Sequence, residues 1–182
     1  MDVMSPGVIR QVKKEIRVLG LSARCSTVDG RFHIFGVVYR GGLWLDGVMS
    51  GESLDQDLTE SIIQMIKGSP HYKQIRVVML SGNLAEDCMW ADPARISTEV
   101  QRPLMVLAMN ENQSSLLAQR GFALHSLVDK WGKVVSFHPI GLTSRESERI
   151  LAVSTKTGSI PEALRVSELV ADAYEKYAHQ NV

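Results

Sequence analysis

Two apolar runs in this chain end in serine: Arg17-Val18-Leu19-Gly20-Leu21-Ser22 and Ile75-Arg76-Val77-Val78-Met79-Leu80-Ser81. In an α/β fold the C-terminal ends of buried strands open into the cleft that binds ligands. Ser22 and Ser81 therefore stand where such folds do chemistry. A magnesium centre at these positions needs hard, anionic oxygens, for which aspartate and glutamate are the usual source. Serine supplies a neutral hydroxyl instead. The two runs have the layout of a carboxylate centre without its charge.

A second constellation is Tyr39-Arg40-Gly41-Gly42-Leu43-Trp44. A glycine turn lets a backbone come close to a ligand, Arg40 can pair with phosphate, and an aromatic can stack on a base. Tyr39, Arg40, Gly41, Gly42 and Trp44 are thus the candidate nucleic-acid surface, the alternative being a plain turn with Trp44 in the core. Arg145, Arg149 and Arg165 either add positive charge or are neutralised by Glu146, Glu148 and Glu162. Glu86 and Asp87 form an acidic pair after Ser81-Gly82 that suits either a displaced carboxylate site or a solvated loop. The five histidines have no metal-ligand spacing, and His71 and His138 read as local hydrogen-bonding residues.

These residues need a scaffold, and the periodicities supply one. Glu15 to Leu21 reads as a buried strand, and Arg31 to Arg40 and Leu43 to Met49 read as a hairpin joined by Gly41-Gly42. Leu58, Ile62, Met65 and Ile66 recur at helical spacing behind the capping-box sequence Asp57-Leu58-Thr59-Glu60, and Gly68 and Pro70 stop that helix. Ile75 to Leu80 has the continuous apolarity of a central strand. Asp92-Pro93 opens a short helix, Leu104 to Met109 is a buried strand, Gln113 to Arg120 a helix closed by Gly121, and Val134 to His138 a further strand. Thr143-Ser144-Arg145-Glu146 and Ser159-Ile160-Pro161-Glu162 both have the capping-box form. The order predicts an α/β fold, a mixed sheet flanked by helices, in a single domain over 13–182 after a loose tail over 1–12.

Bulk properties narrow the class. The chain has 182 residues and a formal net charge of zero, from 20 basic and 20 acidic residues. A uniformly cationic surface is excluded, and with it tight nonspecific duplex binding that relies on overall charge; a local basic patch is not. The two cysteines, Cys25 and Cys88, have no paired spacing and suit a reducing cytoplasm. No signal peptide and no membrane span are expected.

Several phrases carry a resemblance: Lys14-Glu15-Ile16-Arg17-Val18-Leu19-Gly20, Tyr39-Arg40-Gly41-Gly42-Leu43-Trp44-Leu45-Asp46-Gly47-Val48, His71-Tyr72 before Arg76-Val77-Val78-Met79-Leu80, and Ile160-Pro161-Glu162-Ala163-Leu164-Arg165-Val166. Together they resemble an archaeal family related to endonuclease V that includes endonuclease dU. The resemblance implies a ribonuclease H-like fold and, for active relatives, magnesium-dependent nicking of DNA near deaminated bases, a DNA-repair activity. Relatives typically carry Ile-Asp-Asp-Gly where this chain has Leu21-Ser22-Ala23-Arg24, and Asp-Gly where it has Ser81-Gly82. The resemblance makes Ser22 and Ser81 degenerate metal positions. It leaves Asp46 as a surviving metal ligand or a turn-capping residue, and Glu168, where relatives commonly have histidine, as a replacement ligand or a solvated helix residue. The resulting expectation is a pseudoenzyme that keeps a nucleic-acid-binding or partner-binding role. Its alternative is an active endonuclease with magnesium or manganese held by Asp46 together with Glu168 or the Glu86/Asp87 pair. DNA is the expected partner, and assembly with itself or with an active paralogue is a third reading.

Overall fold

A computed structural model describes Ile9 and residues 11–86 and 88–180, the side chains of Glu86 and residues 178–180 excepted. Most of the tail expected over 1–12 lies outside the described residues.

The chain enters a seven-stranded mixed sheet through three consecutive antiparallel strands, β1 (Arg17–Cys25), β2 (Phe32–Arg40) and β3 (Trp44–Ser53). Helix α1 (Thr59–Gly68) returns the chain to β4 (Val77–Ser81), which pairs parallel to β1. A 3₁₀ turn over Gly82–Leu84 leads to the two-residue strands β5 (Ala85–Glu86) and β6 (Met89–Trp90). Then follow α2 (Pro93–Val100), β7 (Leu104–Ala108) parallel to β4, and α3 (Glu111–Gln119). β8 (His125–Val128) and β9 (Val134–Ile140) close the sheet antiparallel, before α4 (Ser144–Ser154) and α5 (Glu162–Gln180). The sheet order is β3-β2-β1-β4-β7-β9-β8.

Each face of the sheet has its own core, because side chains alternate along a strand. Leu19, Leu21, Ile34, Val78 and Leu80 pack with Ile62, Ile66 and Ile96 of α1 and α2. Val18, Val77, Met79 and Phe137 pack with Ile150, Leu151 and Leu164 of α4 and α5. Gly20 shares the face of Val18 and lies directly under the backbone of Ala163 and Leu164. Ser22 and Arg24 follow at the same parity on β1, and Ser81 follows Val77 and Met79 on β4. All three face α5.

Direction matters as much as face. Arg17 pairs with Arg40, and Arg40 pairs with Trp44. The start of β3 therefore lies beside the start of β1, at the end of the sheet opposite Ser22.

The expected caps form in part. Asp92 accepts from the Arg95 amide with Pro93 in the first turn, and Thr143 and Glu146 complete a reciprocal capping box. The two other capping sequences do not close: α1 has Leu58 rather than Asp57 as its N-cap, and Ser159 donates to Asp129 while Glu162 pairs with Arg165. Among the described residues no helix is long and apolar enough to cross a membrane.

Candidate functional site: a salt-bridged cluster at the strand ends

Leu21 pairs with Leu80 in the parallel register of β1 and β4, so Ser22 and Ser81 are neighbours on adjacent strands. Both are fully buried. Ser81 caps the 3₁₀ turn, its Oγ accepting from the Asn83 amide at 3.5 Å. The Asn83 amide nitrogen Nδ2 donates to the Ala23 carbonyl at 3.0 Å.

Arg24 completes the cluster. Its Nη1 donates to the same Ala23 carbonyl at 2.8 Å, and its Nη2 donates to Glu168 Oε2 and to Asp172 Oδ1, both at 2.6 Å. Glu175 lies further out, at 3.9 Å. The Arg24 side chain is only 18% exposed. Burial disfavours its charge, but the hydrogen bonds to Glu168 and Asp172 outweigh that and raise its pKa above the ordinary arginine value. The guanidinium is thus a fixed cation between β1 and α5.

Three buried oxygens of this cluster have no partner among the described residues: Ser22 Oγ, Asn83 Oδ1 and Glu168 Oε1. Each such atom costs about 1–3 kcal/mol of desolvation, so this corner is kept polar at the expense of stability. It does not fit a divalent metal. Two of the three oxygens are neutral, the third belongs to a carboxylate already bridged to Arg24, and the arginine repels a second cation. Among the described residues no three histidine, cysteine, aspartate or glutamate side chains group to hold a metal ion. Nor, among the described residues, does either serine hydroxyl hydrogen-bond a base that would make it a nucleophile.

The structure separates Asp46 from this cluster. Its Oδ2 accepts from Arg17 Nε at 2.7 Å, and its Oδ1 from Arg40 Nη2 at 2.8 Å. Arg17 and Arg24 stand at opposite ends of β1, about 23 Å apart at 3.3 Å per residue. A β-bulge between Val38 and Tyr39 turns Asp46 towards the two arginines. Its carboxylate, 12% exposed, has both oxygens engaged. Asp46 and Glu168 are therefore not brought together. Asp87 and the side chain of Glu86 lie outside the described residues.

The hydrogen bond from Arg40, helped by that from Arg17, holds the Asp46 carboxyl below its ordinary value of 3.8, against the opposing effect of burial. A group with a depressed folded pKa stabilises above its unfolded pKa, and that stability is lost as pH falls through the folded value. Asp46→Asn is therefore expected to lower Tm at pH 7 and to flatten the fall in Tm below pH 4. Thermal melts of both proteins between pH 2 and 7 check this; parallel curves contradict it.

The glycine turn is packed rather than open. Gly41 and Gly42 are buried, and their amides donate to the Ile16 carbonyl at 2.7 Å and the Val153 carbonyl at 2.8 Å. A Cβ on Gly41 would lie 2.0 Å from the Lys14 carbonyl oxygen, and its φ of +55° suits glycine. The close approach is to the protein's own backbone, not to a ligand. Tyr39 points to the α5 face, away from Arg40 and Trp44. Trp44 lies outside the core, 55% exposed, with the Arg40 guanidinium 6.0 Å from its ring centre.

The residue that sequence reasoning missed is Arg24, together with its partner Asp172. The signal was available: Arg24 is two residues beyond Ser22, and Asp172 one helical turn beyond Glu168.

The family model for endonuclease dU matches residues 14–175. The chain belongs to the endonuclease dU family. A "UPF0215 protein" of Methanosarcina acetivorans is 30% identical over 179 residues, covering 88% of this chain and 91% of the relative. Another, from Methanothermobacter thermautotrophicus, is 30% identical over 184 residues, covering 89% of each. Among solved structures, a protein of unknown function from Archaeoglobus fulgidus superposes with a TM-score of 0.68 at 24% identity, covering 87% of this chain and 97% of that one. Endonuclease V of Ciona intestinalis, in complex with a 24mer DNA containing inosine followed by ribo-adenosine, gives 0.59 at 12% identity, with 88% and 86% covered. Endonuclease V of Bacillus subtilis gives 0.63 at 9%, with 91% and 82% covered. The fold is thus that of endonuclease V, which is ribonuclease H-like, as the sequence resemblance implied.

Proposed function

We propose that this member of the endonuclease dU family does not hydrolyse DNA and acts as a nucleic-acid-binding protein. One observation carries the reading: the Arg24 guanidinium, bridged to Glu168 and Asp172 at 2.6 Å, stands at the strand ends that carry two neutral serines. Metal-assisted phosphodiester cleavage needs a cation that polarises the phosphate and generates hydroxide from water. An arginine supplies fixed positive charge without activating water, and the carboxylates beside it, Glu168 and Asp172, are tied to it as ion pairs. The Arg24 cluster has fixed charge but no group to attack phosphorus. The DNA-bound endonuclease V with the same fold supports nucleic acid as the partner.

End-labelled DNA carrying deoxyuridine or deoxyinosine, incubated with magnesium and then with manganese, tests this. The expected result is intact DNA together with a measurable complex by anisotropy. Metal-dependent nicking, lost on Glu168→Ala, overturns it.

A further inference from the structure

The opposite end of the sheet carries a feature that this reading does not use. The three parallel strands β1, β4 and β7 all begin there, and each start carries basic residues. Lys13 and Arg17 lie at β1, Lys73 and Arg76 before β4, and Arg102 before β7. All five line one cleft of about 780 Å³, with Glu15 the one acid among its described lining residues. Lys13, Lys73 and Arg76 are exposed, and no ion pair to another described residue neutralises them. Arg102 is held in place by neutral carbonyls, its Nε donating to the Ile75 oxygen at 2.6 Å. Its charge stays uncompensated too. In a chain with zero net charge this is a marked local excess of cations.

We infer that this cleft binds a single-stranded nucleic acid through its phosphate chain, with Trp44 stacking on a base. The inference rests on nucleic acid being the ligand, as proposed above, and places the contact at the end of the sheet away from Ser22 and Ser81. Adjacent strands are about 4.8 Å apart, so the three strand starts spread cations over about 10 Å. A lone phosphate does not need such a row, whereas a chain of phosphates does. Trp44 pairs with Arg40 and Arg40 with Arg17, which puts the indole two strand spacings, about 10 Å, from the cleft lining. Asp46 joins the two regions, holding Arg17 and Arg40 in one geometry. A basic groove with an exposed aromatic at its side is the pattern by which single strands are bound without sequence readout. Stacking requires an unpaired base, so a duplex cannot use the same pair of contacts.

The test is fluorescence anisotropy with a labelled 20-nucleotide oligothymidylate and a duplex of the same length, across a salt series. The intact chain is compared with Lys73→Glu/Arg76→Glu and with Trp44→Ala, all exposed positions whose melting curves check the fold. The expected result is preference for the single strand, a loss of at least tenfold in the double variant, and about tenfold in Trp44→Ala. The salt slope of the double variant should fall by about 1.4, since each phosphate contact on a single strand contributes about 0.7. Unchanged affinity and slope in the double variant, with binding intact, overturn the cleft but leave a non-cutting nucleic-acid binder standing. Absence of binding to either oligonucleotide by the intact chain overturns both.

Discussion

Gly20→Ala is expected to destabilise the protein by about 3 kcal/mol, at the upper end of overpacking costs. At 2–4 °C per kcal/mol for a chain of this size, Tm falls by roughly 6–12 °C. The reason is geometric. A Cβ at Gly20 would lie 2.3 Å from the Ala163 carbonyl carbon and 2.5 Å from the Leu164 amide nitrogen. Both are backbone atoms at the start of α5, so no side chain can rotate away, and the helix has to retreat. Glu168 and Asp172 sit on that helix, and its retreat also pulls them from Arg24. Gly68→Ala is the matched control. Nothing lies within 4 Å of its added methyl, at the end of α1, so stability should hold or rise by up to about 1 kcal/mol. Equal melting temperatures for the two variants would mean that α5 does not lie as close to β1 as described.

The second large effect concerns activity. Restoring carboxylates alone, as Ser22→Asp with Ser81→Asp, is expected to leave nicking below detection. Arg24 remains between the strand ends and α5, where it pairs with the new aspartates as readily as with Glu168. Adding Arg24→Gly removes the competing cation and is expected to bring metal-dependent nicking of deoxyuridine-containing DNA. Aspartate at position 81 accepts from the Asn83 amide as the serine does, but at this fully buried position its charge lowers stability until a metal pairs with it. Metal binding to the triple variant should also appear as stability, about 2.7 kcal/mol when metal stands at a hundredfold over Kd. Nicking by the double variant would show that Arg24 does not block the centre.

The sheet was legible because its signals are local. Continuous apolar runs marked β1, β4 and β7, Asp92-Pro93 marked the start of α2, and Gly41-Gly42 marked the hairpin. β8 was missed because His125–Val128 is a short edge strand with largely exposed residues and no apolar run. The expected adjacency of Ser22 and Ser81 came from the resemblance and is met in the register.

Asp46 shows what periodicity leaves out. Alternation says which face a residue takes, not which end of the sheet it occupies, and the bulge at Val38/Tyr39 shifts even the face. The end could have been found by following the chain: three successive antiparallel strands return the start of β3 to the start of β1. Gly41 and Gly42 were legible as a turn, but their burial depends on Lys14–Ile16 and the end of α4, remote segments that no local pattern reports.

The account centres on Arg24 holding the place a metal would need. A titration of the intact protein with manganese, followed by the electron paramagnetic resonance signal of the free ion, tests that most directly, beside the triple variant Ser22→Asp/Ser81→Asp/Arg24→Gly. The account predicts that free manganese tracks total manganese for the intact chain, while the triple variant depletes the signal by one equivalent. A tight equivalent bound by the intact chain and lost on Glu168→Ala would contradict it.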